Sequence, residues 1–150
     1  MKASGNFIIR VYGLFIENNK ILLSDEFRFN KKMTKFPGGG LKFGEGTIDC
    51  LKRECMEELN QEIEILAHFY TTDYFQEAWY FENHQLISIY YLAKFIGNAK
   101  FKLSDKPFDF TTEFDGVQSF RWAEIKDISE EELTFPIDRK VLKMLKSQYL

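Results

Sequence analysis

The chain has 150 residues, 45% of them hydrophobic, which suits a single domain, 1–150, with a core of ordinary size. A formal net charge of -3 argues against a general nucleic-acid surface, which needs clustered Lys and Arg to neutralise phosphates. No stretch approaches the ~18 consecutive apolar residues of a membrane span; the best, Leu86 to Ile96, is broken by Ser88 and Lys94.

In chain order, Phe7 to Ile16 and Lys20 to Glu26 are β-rich runs separated by Glu17-Asn18-Asn19, and Asn tolerates the positive φ of tight hairpins. Phe36-Pro37-Gly38-Gly39-Gly40 breaks regular structure, Leu41 to Phe43 is expected to resume an extended strand, and Gly44-Glu45-Gly46 turns the chain again. From Thr47 the period becomes helical: Ile48, Leu51, Cys55 and Leu59 form an apolar stripe, with Thr47 as the expected N-cap and Asp49 near the positive helix end. Asn60 closes this helix as a left-handed residue. Glu62 to Tyr70, Glu77 to Phe81 and Leu86 to Ile96 read as strands. Lys100 to Thr112 is irregular, Val117 to Trp122 reads as a strand, and Ile137 to Leu150 as an amphipathic helix introduced by Pro136.

Cys50 and Cys55 point about 140° apart on a helix, so they are expected to stay unpaired. With no apolar leader and cleavage site in MKASGNFIIRVYGLF, the expectation is a reducing, cytoplasmic setting.

The helix carries an unusual charge pattern. With Glu54 at zero on a helical wheel, Glu57 lies near about -60° and Glu58 near about +40°, so the three carboxylates share a face beside the apolar stripe. A solvated face would pair Glu with Lys or Arg four residues on, whereas Glu54 and Glu58 are like charges at that spacing and cost roughly 0.2 to 0.5 kcal/mol. Glu57 and Glu58 also stand near the negative end of the helix dipole. A hard divalent cation, Mg²⁺ or Mn²⁺, reverses these signs. Arg53, beside Glu54 and downstream of Glu45, can hold a carboxylate with a bidentate guanidinium.

These residues resemble the signature of the Nudix hydrolases, G-x5-E-x7-R-E-U-x-E-E-x-G-U with U apolar. Gly39 matches its leading glycine, Glu45 the first glutamate, Arg53-Glu54 the central pair, Cys55 the first apolar position and Glu57-Glu58 the final pair. The departures are Asn60 at the glycine position and Gln61 at the last apolar one; neither removes a charge.

The resemblance implies an α/β/α sandwich with a central mixed β-sheet, and cleavage of a diphosphate bond in a nucleoside diphosphate linked to another moiety, such as a nucleotide sugar, ADP-ribose or a nucleoside triphosphate. It implies Mg²⁺ (or Mn²⁺) on Glu54, Glu57 and Glu58 with the Gly39 or Gly40 carbonyl, and Glu54 as general base oriented by Arg53, with Glu45 in the same array. Other members of the family take the base from a mobile loop, where Glu113 is the candidate. It leaves room for a homodimer and for a non-catalytic ligand sensor, though sensors often lose signature carboxylates and this chain keeps them all. The isopentenyl diphosphate isomerases share the fold but need a catalytic cysteine in another context than Cys50 and Cys55. Among Tyr74, Phe75 and Trp79, offered for base stacking, most rings are expected in the core. His68 and His84 lack metal-ligand spacing, and Arg121 and Trp122 read as strand packing.

Overall fold

The computed structural model describes residues 4–149. Strand β1 (Asn6–Glu17) turns into β2 (Lys20–Arg28) through Asn18 and Asn19, whose φ values of 51° and 62° lie in the left-handed region that Asn tolerates. The two strands pair only at Ile16 with Ile21 and Glu17 with Lys20, then separate. Beyond that point β2 pairs with β3 (Lys31–Lys35) and β7 (Val117–Glu124). Strand β1 instead pairs in parallel with β6 (His84–Phe95) and antiparallel with the short β4 (Gly38–Gly40), while β5 (Ile63–Thr71) lies outside β6. The result is a mixed sheet in the order β3-β2-β1-β6-β5, with β4 on β1 and β7 on β2.

Alternation along β1 divides the core between two helices. Val11 and Phe15 pack with Cys50, Leu51, Cys55 and Leu59 of α1 (Thr47–Leu59). Tyr12 and Leu14 belong to the cluster that includes Ile137, Val141, Leu142 and Leu145 of α2 (Pro136–Tyr149). One helix on each face makes the expected α/β/α sandwich. Among the described residues no helix is long and apolar enough to cross a membrane.

Several local expectations change. The strand expected at Leu41–Phe43 falls on the glycines instead, because Gly38, Gly39 and Gly40 pair with Tyr12, Val11 and Arg10. Glu77–Phe81 contributes a single bridge, Glu77 to Gln85, and then turns, held by Ala78 N–H donating to His84 O and Leu86 N–H to Gln76 O. Strand β3, lysine-rich and without apolar alternation, carried no signal; it exists because β2 pairs along it. Gly46, not Thr47, is the N-cap, and Thr47 Oγ1 lies 2.7 Å from the Tyr91 hydroxyl. Ile48 is exposed, and Cys50 takes its place in the buried stripe. Both cysteines are free and buried.

The two signature departures both have a structural role. Asn60 adopts φ 51°, ψ 46°, and its N–H donates to Met56 O at 3.0 Å. Asn60→Ala should therefore cost about 1 kcal/mol in urea denaturation, with Asn60→Gly near neutral, because Ala carries the left-handed penalty that Gly escapes. Gln61 is 2% exposed; its amide donates to Ile96 O and accepts from Lys100 N–H, both at 3.0 Å. That amide ties the end of α1 to the segment after β6.

Candidate active site

Arg53 is the hub of the acidic helix. Its Nε and Nη2 donate to the two oxygens of Glu45 at 2.9 and 2.7 Å, a bidentate fork across eight residues of chain. Nη1 donates to Glu54 at 2.8 Å and Glu57 at 3.2 Å, and Nη2 also to Gly40 O at 3.0 Å. Hydrogen bonds from Arg53 and from the Lys42 backbone hold the Glu45 carboxyl down at about 2. Glu45 is thus ionised throughout the neutral range and fixes Arg53, which in turn fixes Glu54.

Glu54 lies against Gly39 so closely that a Cβ there would stand 2.3 Å from its Cδ and 2.5 Å from each oxygen. The glycine leaves the notch that the carboxylate fills. Glu57 is half exposed, while burial pushes the Glu58 carboxyl up to about 7, with Lys35 opposing the rise. Carboxylate and carbonyl oxygens are the ligand type that hard divalent cations take. Among the described residues no group of three or more His, Cys, Asp or Glu side chains is arranged to hold a metal ion by itself. Mg²⁺ does not require one, since it keeps several waters and uses one or two carboxylates with substrate phosphate.

Where β1 and β2 separate, a cleft opens on the α2 face, enclosing about 820 Å³ with its open mouth included. Arg10, Glu26 and Lys35 line it beside an aromatic wall of Phe29, Tyr80 and Phe135. Lys35 and Glu26 form a buried ion pair at 2.8 Å, and Gln118 Nε2 donates to Glu26 at 2.9 Å.

A family model described as "NUDIX domain" matches residues 8–145. The chain belongs to the Nudix family. Its fold is similar to that of a Nudix hydrolase from Nitrosomonas europaea (TM-score 0.71, 17% identity, 95% of this chain and 90% of that one). It is also similar to a MutT protein from Methanosarcina mazei Go1 (TM-score 0.71, 17% identity, 98% of each chain). A further likeness is to an ADP-ribose pyrophosphatase from Streptococcus suis 89-1591 (TM-score 0.57, 13% identity, 93% and 91% covered). No curated protein sequence matches this Nudix chain. Nudix hydrolases generally use divalent metals, in keeping with the oxygen donors on α1.

Of the residues marked in the sequence, Gly39, Glu45, Arg53, Glu54 and Glu57 come together around one guanidinium. Glu58 faces Lys35 and Glu26 instead. Glu113 is exposed in the loop before β7 and makes no ion pair among the described residues. The stacking candidates are not core residues: Tyr74, Phe75 and Trp79 are 38%, 69% and 52% exposed. Trp79 stands beside the Phe135 ring, 5.7 Å between centroids, whereas Tyr74 lies under Lys140. Arg121 does more than pack, since its Nε donates to the fully buried Asp25 at 2.7 Å and Thr34 Oγ1 donates to the other oxygen. Acidic residues inside the apolar run of β2, Asp25 and Glu26, were the available signal for this ionic layer.

The start of α2 supplies a residue that sequence reasoning missed. Asp138 is 1% exposed, accepts the Tyr90 hydroxyl through Oδ1 at 2.5 Å, and is pushed by burial from its ordinary 3.8 up to about 6. Between those values the folded chain keeps a proton that the unfolded chain has released, so this group's contribution to stability falls as pH rises through the window. Asp138→Asn is expected to gain on the wild type from about pH 4 to about pH 6, and then hold an advantage of about 2 to 3 kcal/mol. Urea titrations of both proteins across that range check it; a pH-independent difference would contradict it.

Proposed function

We propose that this Nudix domain hydrolyses a diphosphate bond in a nucleoside diphosphate joined to another moiety. The observation that carries the reading is the Arg53 array, which links Glu45, Glu54 and Glu57 beside the Gly39 notch. Glu54, Glu57 and Glu58, with the Gly39 carbonyl, are the residues that would hold Mg²⁺ or Mn²⁺. When bound, such a cation neutralises the diphosphate and acidifies a water.

Glu54, oriented by Arg53, takes the proton of the attacking water. The water oxygen bonds to one phosphorus as the link from that phosphorus to the bridging oxygen breaks, releasing the other phosphate group. Arg53 keeps Glu54 in one rotamer, which favours a reactive geometry over a flexible one. The cleft lined by Arg10 and Lys35 takes the substrate. These cations and the metal reconcile an anionic substrate with a chain of net charge -3.

ADP-ribose, named for one structural relative, and other compounds with a diphosphate linkage supply the panel. The protein is incubated with Mg²⁺ and ADP-ribose, nucleotide sugars, dinucleoside polyphosphates, NADH or nucleoside triphosphates, and the products are separated chromatographically. Turnover that disappears in Glu57→Gln, with the fold retained, supports the assignment. Full activity in that variant would sink the metal site, and no turnover on any compound would favour a ligand sensor.

A further inference from the structure

The tip of the β2–β3 hairpin carries a charge pattern that folding by itself does not favour. Arg28 and Lys31 are paired across the two strands, and like charges directly opposed destabilise a sheet. Neither makes an ion pair among the described residues. Glu26, on the same face of β2, is taken by Lys35, and Asp115 accepts the Phe29 N–H. Arg28 instead lies over the Phe29 ring, 5.3 Å from its centroid, and Lys31 over the Tyr80 ring at 5.9 Å. These rings seat the two cationic heads without offering their N–H groups an oxygen. Arg28 Nε is buried and has no hydrogen-bond partner among the described residues, and a buried donor left open requires an explanation.

The turn between the strands points the same way. Phe29 and Asn30 have φ values of 53° and 58°, the left-handed pair for which a two-residue hairpin favours Asn-Gly. A bulky residue rarely accepts that backbone, yet Phe29 stands there, stacked on Tyr80 at 5.0 Å between centroids and still exposed. Backbone strain of this kind collects at ligand sites. Here the strained residue supplies the ring that seats Arg28.

We propose that Arg28 and Lys31 form an anion site at the mouth of the cleft, which takes a phosphate monoester that the substrate carries apart from the diphosphate to be cleaved. The inference rests on the nucleotide reading given above. Arg28 lines the cleft and Lys31 is exposed across from it, so the pair meets both a bound substrate and solvent. At about 3.3 Å per residue, ~13 Å of strand separates Lys31 from Lys35, the lysine that faces Glu58. A group bound at the hairpin tip is therefore distinct from a diphosphate bound at α1. A phosphate monoester carries about -1.5 to -2 charges at pH 7, which two cations match, whereas a carboxylate balances only one. Its oxygens also accept from a guanidinium fork and an ammonium together.

Equilibrium binding tests this without depending on turnover. The whole protein is titrated calorimetrically, with Mg²⁺ present, against AMP and GMP and against the 2′,5′- and 3′,5′-bisphosphates of adenosine and guanosine, none of which has a diphosphate to cleave. At least one bisphosphate should bind about 10-fold or more tightly than its parent monophosphate. In Arg28→Gln and in Lys31→Gln that advantage should shrink to about threefold or less. Lys32→Gln is the matched control, because Lys32 lies on the other face of β3, over the Phe108 ring, and removes the same charge. It should leave the advantage intact. Thermal melts confirm that the variants fold. Equal affinity for each monophosphate and its bisphosphates, an undiminished advantage in Arg28→Gln and Lys31→Gln, or an equal loss in Lys32→Gln would overturn the proposal. So would no detectable binding of any of the six. Hydrolysis of a diphosphate in the substrate panel would leave the proposed activity standing in each of those cases.

Discussion

Glu54→Gln is expected to lower kcat by about 10²- to 10⁴-fold while leaving the melting temperature nearly unchanged. The amide has the shape of the carboxylate and still presents an oxygen to Arg53 Nη1, so the 2.8 Å contact and the array around it survive. Basicity and one negative charge are lost, and with them both proton acceptance and much of the attraction for a cation. Glu113→Gln is the matched control, because its side chain is exposed in a loop outside the array. The variants are compared at saturating substrate and at several Mg²⁺ concentrations. Unchanged kcat in Glu54→Gln together with a collapse in Glu113→Gln would move the base to the loop.

Adjacent glycines should respond in opposite ways to the same substitution. A Cβ on Gly38 would stand 2.1 Å from Val11 O and 2.8 Å from Tyr12 Cα, both backbone atoms, at a φ of 149° that L side chains rarely adopt. Gly38→Ala must therefore break the β4–β1 pairing, for a loss of about 2 kcal/mol or more in urea denaturation. At Gly39 the three nearest atoms all belong to the tip of the Glu54 side chain. That tip can swing aside, so Gly39→Ala should keep stability within about 1 kcal/mol yet lower kcat by about 10²-fold, the cost of misplacing a reacting group by an ångström. A Gly39→Ala enzyme with full activity would show that the seating of Glu54 is not required.

Much of the candidate site was legible because it is local. Gly39, Glu45, Arg53, Glu54 and Glu57 all fall within β4, the turn after it and α1, and on the helix angular spacing shows which charges share a face. The end of α1 was legible for the same reason, since Asn is among the few residues that accept the left-handed backbone there. Boundaries that depend on pairing were not. The strand moved from Leu41–Phe43 onto Gly38–Gly40 because β1 offers its hydrogen bonds to the glycines. Strand β3 appeared where lysines would suggest a loop, because β2 had an edge to fill.

Glu58 shows the boundary between the two kinds of information. Its place on the helix follows from spacing, but its neighbours do not: Lys35 and Glu26 reach it from β3 and β2, and burial rather than the adjacent glutamates dominates its titration.

The sequence by itself determined a mixture of strands and helices and the acidic helix with its arginine, because hydrophobic period and residue spacing are properties of short segments, and the resemblance of that helix to the Nudix signature implied the α/β/α class. The tertiary structure decided the cleft, the Asp25–Arg121 pair 96 residues apart and the Tyr90–Asp138 bond 48 apart. Those contacts depend on strand order and register, which bring distant residues to one face of a sheet; spacing along the chain carries no record of that.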